Sequence, residues 1–420
     1  MDINGLLKGK TGCACGKDHF CDIERVEIGA GAVNSLPELC EKYKNIVIAA
    51  DVNTYRACGA RVFELLKDKT EKLHVFEPDG LLIPNEQAIE ALNADVSEKT
   101  DLIVGVGSGV INDLCKYVSF KKGLPYFIVA TAPSMDGYAS VGAAMITGNM
   151  KTTFNAHVPA AIIGDVDVLR KAPMDMIKSG FGDIIGKYSA LNDWKLSALI
   201  NGEYLCQYVY DLTYDTVLKT RALAGGIEKR DPETIKTLME ALVIVGIAMA
   251  YVKNSRPASG SEHHLSHYFE ITGIVKNRGY LLHGIDVVYS TVETQKLREK
   301  LLALDKMPEK IRAFDRDDWE KHIKESYGFA AQGVIALQDK LNFYGSNLPE
   351  IYRKKWTQIR KVLSDAPSSL ELCEILKTAG MDYNDFEKFY GRSVIDDAVL
   401  YAKDLKDRYT VLWLYYTVLG

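Results

Sequence analysis

Residues 101–117, DLIVGVGSGVINDLCKY, read as a strand, a glycine turn and the opening of a helix. The apolar run leads into Gly107 and Gly109, where a backbone without Cβ atoms can approach a pyrophosphate closely. The helix that opens there points free N–H groups and a partial positive charge at an anion. After the third glycine the chain continues Val110, Ile111, Asn112, Asp113, which is not the GxGxxG dinucleotide pattern, and an ordinary βα turn has much the same look. Outward from this turn, short apolar runs at 45–50, 73–76, 102–105 and 126–130 alternate with amphipathic stretches at 32–43, 55–67 and 86–92. Such alternation marks βαβ units on a mostly parallel sheet. Asp51 follows the first run directly, where a carboxylate can accept the ribose hydroxyls of a dinucleotide.

Beyond about residue 168 the texture changes. Long 3.6-residue periods run over 232–254, 290–304, 319–338 and 396–419, with breaks at 257–260 and near 305–310 and 344–348. The expected architecture is an α/β nucleotide-binding domain over residues 1–166 followed by an all-α domain over 167–420. A ligand cleft is expected between two such domains.

The 420 residues carry 51 basic and 56 acidic side chains, a formal charge of −5, which gives no field for binding nucleic acid. The longest apolar stretch, 241–252, falls short of the ~20 residues that cross a bilayer. A soluble cytoplasmic protein is expected, because the N-terminus lacks a secretory pattern and most of the eight cysteines are scattered singly. Cys13, Cys15, His19 and Cys21 do cluster in CACGKDHFC. One residue between Cys13 and Cys15 is not the usual zinc spacing, and no second pair follows, so a glycine turn with incidental thiols is expected here.

Two segments of the helical half carry metal-binding chemistry. In SGFGDIIGK (179–187), Asp183 is expected at the start of a helix whose remaining face is apolar, which is also what an ordinary N-cap looks like. In GSEHHLSHYFE (260–270), His263 and His267 are four apart and share a helical face, and His283 follows after a helix end and a loop. Four of the eight histidines fall within 263–283. Two imidazoles and a carboxylate with an open position suit a catalytic divalent metal rather than a closed structural zinc. Period alone does not rank His263 against His267.

Read together, GVGSGVIND, ATAPSMDGYAS (130–140), GFGD (180–183), GSEHHLSH (260–267) and LHG (282–284) resemble the sn-glycerol-1-phosphate dehydrogenases, most of all the longer bacterial ones. These belong to the iron-containing alcohol dehydrogenase and dehydroquinate synthase-like superfamily. The resemblance covers roughly residues 10–290, and the last ~100 residues match no motif. It implies that Gly107, Gly109, Val110, Ile111, Asn112, Asp113, Thr131, Ser134 and Ser140 contact NAD(H) or NADP(H), with Asp51 on the ribose. It implies Asp136 toward substrate, and Asp183, His263 and His283 on one divalent metal, zinc or nickel. Asp183 and His267 would meet the substrate and take part in catalysis, while His264 points about 100° away and is left out.

The implied reaction is the reversible reduction of dihydroxyacetone phosphate to sn-glycerol 1-phosphate by a homodimer or larger homo-oligomer, with no nucleic-acid or membrane partner. Lys187, Arg256 and Lys276 are candidate donors to the substrate phosphate. A polyol dehydrogenase on the same metal and cofactor is the near alternative, although AHxxHNG around the first histidine is absent. A dehydroquinate synthase-like lyase is expected to carry Glu where Asp183 stands, and a non-catalytic relic is expected to have damaged ligands.

Overall fold

In this computed structural model, which describes residues 2–147 and 150–420, eight strands are present. They are β1 (Arg25–Gly29), β2 (Ile46–Asp51), β3 (Thr70–Phe76), β4 (Leu102–Gly107), β5 (Tyr126–Ala130), β6 (Gly142–Thr147), β7 (Met150–Asn155) and β8 (Ala161–Asp165). Six form one parallel sheet in the order β1-β8-β5-β4-β2-β3, and β6 pairs with β7 as an antiparallel hairpin. Every residue of β4, β5 and β8 is buried, as expected when helices cover both faces of a parallel sheet. The chain runs from β2 outward to β3 and then returns to β4 on the other flank of β2. The strand order therefore reverses between β2 and β4, and Asp51 and Gly107 end these two strands at that point. Ligands of open α/β sheets bind at such reversals, beyond the carboxyl ends of the strands.

The sequence reading names four of the six sheet strands; β1, β8 and the β6–β7 hairpin are additional. Three expected helices are interrupted. Residues 32–43 make only a 3-10 turn (Ala32–Ser35) and one turn of helix (Leu36–Leu39). The 319–338 period is split at Gly328, whose φ of +49° ends the helix Arg316–Tyr327 before Ala331–Leu341 begins. The 396–419 period divides into Arg392–Tyr401 and Val411–Val418.

By its contacts the chain divides into two units, residues 1–181 with 226–253, and residues 182–225 with 254–420. The helix Pro232–Val252 thus belongs with the first unit, whereas its texture placed it in the helical half. Its 21 residues are long and apolar enough to cross a membrane, and the apolar stretch is longer than the sequence reading allowed. It is instead a core helix, with all but four of its residues buried. Gly246 packs against Ala139, where a Cβ would lie 2.6 Å from that residue's own Cβ. The second unit is built from helices, among them Lys187–Asn201, Ser261–Val275 and His283–Leu302.

Candidate active site: a dinucleotide turn and a metal trio

The first unit presents the turn after β4. Ser108 precedes the helix Gly109–Lys122, so the expected strand, turn and helix follow one another as read. Gly107 is required by packing, because a Cβ there would lie 2.5 Å from the Ile111 side chain, whereas one at Gly109 meets nothing closer than 3.7 Å. That leaves the first turn of the helix open beside Gly109. The Thr131 N–H donates to the Gly107 carbonyl at 3.0 Å, which lays the loop after β5 against the glycine turn.

Several residues expected at a dinucleotide have internal partners. Asn112 is buried and donates toward Asp113 Oδ1 (3.2 Å) and the Gly137 carbonyl (3.4 Å). Asp113 Oδ2 accepts from the Ala144 N–H at 3.1 Å. Ser140 Oγ donates to the Gly137 carbonyl, and the Ser134 carbonyl accepts from Ser179 Oγ. Asp51 caps the turn that follows β2, accepting from the Asn53 and Thr54 N–H groups. Asp136 opens the short 3-10 helix Asp136–Ala139. The residue that ties this loop together is Lys116, which the sequence reading passed over. It is fully buried and donates to the carbonyls of Gly137 (3.0 Å) and Gly142 (2.8 Å), and burial lowers its pKa.

The second unit holds a trio of side chains that could hold a metal ion. One donor atom from each of Asp183, His263 and His283 lies within 4.8 Å of the others. Asp183 is not at a helix start, as the sequence suggested; it sits in the last turn of the helix Met174–Ile185. The apolar period begins earlier than it was read, and the glycines around Asp183 serve close packing rather than chain reversal. A Cβ at Gly182 would fall 2.3 Å from the Gly284 carbonyl oxygen, and one at Gly186 would fall 2.4 Å from Val287. These two bare positions let the Asp183 segment lie against the first turn of the His283–Leu302 helix, where His283 is the first residue.

Gly260 does the same for the third ligand. Its missing Cβ clears Asp193 and the Ala190 backbone, so the helix carrying His263 can start directly on Lys187–Asn201. Asp193 accepts from the Ser261 N–H at 2.7 Å and satisfies one of the orphan donors of that helix.

The trio fits a metal by its chemistry. Glu262 Oε1 lies 2.7 Å from His263 Nδ1 and fixes that nitrogen as the donor, so the lone pair of Nε2 faces Asp183 Oδ1 at 3.7 Å. Donors about 2.1 Å from a tetrahedral ion stand about 3.4 Å apart. Burial, with the charge of Lys187, holds His263 well below the usual imidazole range, in the neutral form that ligates. Burial and the charge of Asp193 push the Glu262 carboxyl up to about 7. Ser266 Oγ lies 3.3 Å from His283 Nδ1. The His267 ring centroid is 6.2 Å from that of His263 and 5.8 Å from that of His283, beside the trio. The structure thus brings all four of these expected residues together. Glu262 was missed, although it stands in the quoted motif next to His263.

The three cations proposed for a substrate phosphate separate clearly. Lys187 Nζ is 2.5 Å from Asp183 Oδ1, with both side chains fully buried. Arg256 is committed to Glu203, Ser197 and the Tyr409 carbonyl. Lys276 caps the far end of the helix Ser261–Val275, roughly 20 Å along the axis from His263. Lys406, which no motif pointed to, has a charge that reaches both His263 and His264.

Comparisons with known proteins bear on the family to which the chain belongs. Residues 27–173 match the family model described as iron-containing alcohol dehydrogenase. The chain is 31% identical to a glycerol-1-phosphate dehydrogenase (NAD(P)+) of Halalkalibacterium halodurans over 98% of both chains. It is 28% identical to the enzyme of that name from Bacillus licheniformis, over 98% of this chain and 94% of the other. Among solved structures, an iron-containing alcohol dehydrogenase from Corynebacterium glutamicum shares the fold, with a TM-score of 0.59 and 16% identity over 96% of this chain and 97% of that one. With a relative above 30% identity matched over nearly its whole length, the chain belongs to the glycerol-1-phosphate dehydrogenase family.

Proposed function

We propose that this protein reduces dihydroxyacetone phosphate to sn-glycerol 1-phosphate, and runs the reverse, using NAD(H) or NADP(H) and one divalent ion, zinc or nickel. The observation that carries this reading is the trio of Asp183, His263 and His283, the first two buried and the third partly so, with Glu262 on the outer nitrogen of His263. A divalent ion held there would polarise a carbonyl oxygen. A nicotinamide bound at the glycine turn would supply the hydride for C2 and accept it in the reverse direction.

The chain's own residues do the rest. Asp183 contributes the only carboxylate of the trio, and His263 and His283 contribute neutral nitrogens, so the site keeps a net positive charge where negative charge develops. His267 gives its proton to the former carbonyl oxygen as the C2–H bond forms, and takes it back in the oxidation. Lys406 is the cation this reading assigns to the substrate phosphate. Gly107 and Gly109, with the open helix end beside them, receive the dinucleotide phosphates. Asp51 keeps one carboxylate oxygen as the cap of its turn and offers the other to a ribose hydroxyl. Among the described residues no two cysteines form a disulfide, which supports a reducing compartment such as the cytoplasm.

The test is a substrate comparison with purified, metal-loaded protein and NADH or NADPH. Dihydroxyacetone phosphate should be consumed at least ~100-fold more efficiently than dihydroxyacetone, because a site built to bind a charged group of its substrate rejects the analogue that lacks it. The product should resist oxidation by an enzyme specific for the 3-phosphate. Equal turnover of the unphosphorylated ketone would establish a polyol dehydrogenase instead.

A further inference from the structure

Outside the site described above, a second group of metal-binding side chains stands near the N-terminus. Cys13, Cys15 and His19 each place one donor atom within 4.8 Å of the others. The spacing that argued against a metal in the sequence is overcome by the backbone. Lys10 and His19 pair across an antiparallel bridge, with N–H to carbonyl distances of 2.8 and 2.9 Å, which closes the intervening residues into a loop. Gly12 and Gly16, at φ of +60° and +80°, turn the chain back on itself, and the Gly16 N–H donates to the Cys13 carbonyl at 2.9 Å. His19 is thereby brought alongside two cysteines that precede it by only a few residues. Cys21, the other cysteine of the cluster, is not in the group.

A second observation comes from the imidazole. His19 is fully buried, and its Nδ1 lies 2.9 Å from the Tyr251 carbonyl. Tyr251 is in the last turn of Pro232–Val252, where carbonyls have no partner within the helix. A carbonyl can only accept, so Nδ1 carries the hydrogen and the lone pair is left on Nε2. That lone pair faces Cys15 Sγ at 3.3 Å. A sulfur and a nitrogen on one tetrahedral zinc are separated by about 3.5 Å. Metal-ligating histidines are commonly oriented in this way, by an acceptor on the other ring nitrogen.

We propose that Cys13, Cys15 and His19 bind a structural zinc ion, separate from the catalytic metal. Two thiolates and an imidazole are soft donors that select zinc over the hard cations. Binding releases the thiol protons of both cysteines, so the affinity falls as the pH is lowered. The ion staples the N-terminal loop to the end of the longest apolar helix of the first unit. The dehydrogenase reaction needs no change at these residues.

Cobalt distinguishes the two metal sites, because only a thiolate gives a ligand-to-cobalt charge-transfer band in the near ultraviolet, and Asp183, His263 and His283 offer none. Full-length protein reconstituted with cobalt should show that band. Cys13→Ser/Cys15→Ser should abolish it, Cys21→Ser should keep it, and His19→Ala should shift or weaken it. Elemental analysis of the zinc-grown protein should find one zinc fewer per chain in the double variant than in the wild type. Absence of the band in wild-type protein, its persistence in the double variant, or a Cys13–Cys15 disulfide in protein isolated under reducing conditions would each overturn the proposal. The wild-type spectrum decides the matter even if the double variant does not fold.

Discussion

Glu262 shows how one side chain sets the chemistry of another. Its carboxylate accepts from the Gly260 N–H at 2.8 Å and lies 2.7 Å from His263 Nδ1, so it fixes both the helix start and the imidazole tautomer. Replacing it with glutamine keeps the shape and removes the charge that makes Nε2 a stronger ligand. Glu262→Gln should weaken metal binding by ~10–100-fold, the usual cost of losing such a partner. Competition against a chelator of known affinity measures this directly, and an unchanged affinity would show that Glu262 does not tune the ligand. His264, next in sequence, is different. Neither ring nitrogen has a hydrogen-bond partner among the described residues, and burial holds it well below the usual imidazole range. It behaves as a neutral core residue, in keeping with its exclusion from the ligand set.

Where segments meet, bare glycines decide how close they come. The Asp183 segment reaches the His283–Leu302 helix because Gly182 and Gly186 present only backbone there. Gly182→Ala adds a methyl group where the Gly284 carbonyl oxygen already stands, so the two segments must separate. Overpacking of this kind costs about 1–3 kcal/mol. Because the clash falls between two ligand-bearing segments, bound metal should fall as well. Thermal denaturation and metal content of the one variant test both effects, and an unshifted melting temperature with full metal occupancy would disprove the close fit. In the first unit, Lys116 plays the corresponding part with a long side chain instead of a missing one. It spans from its helix to the Gly137 and Gly142 carbonyls and shapes the loop that flanks the glycine turn.

Across the whole second unit, Asp193 is the point through which separate elements are joined. Its carboxylate accepts from the Ser261 N–H, the Val411 N–H and the Arg298 guanidinium, all buried. It therefore caps two helices that start more than a hundred residues apart and pairs with a third. Asp193→Ala leaves Arg298 charged and buried without its carboxylate, a change that costs about 3–5 kcal/mol. Chemical denaturation should show a loss of that size, and a loss below about 1 kcal/mol would mean that the remaining partners of Arg298 suffice. Nothing in the sequence around Asp193 distinguishes it from a solvent-facing helix residue.

The local pattern in the chain determined the parallel sheet, the strand, glycine turn and helix at 102–122, and the helical texture of the later half, because each depends on spacing within one short segment. Clustering of histidines within 263–283 likewise pointed to a candidate metal site. The helix breaks at Gly328 and after Tyr401 were not legible, since a period can continue on paper where the backbone turns. Nor was the assignment of Pro232–Val252 to the first unit, which rests on packing partners far away in the chain. The role of each site residue depended on such distant partners. Tertiary structure put Glu262 on His263, committed Arg256 to Glu203, removed Lys276 from the site and turned His19 toward Cys15. A donor's lone pair is aimed by whatever its other atoms bond to. For His19 that is a carbonyl 232 residues further along the chain, which no local pattern encodes.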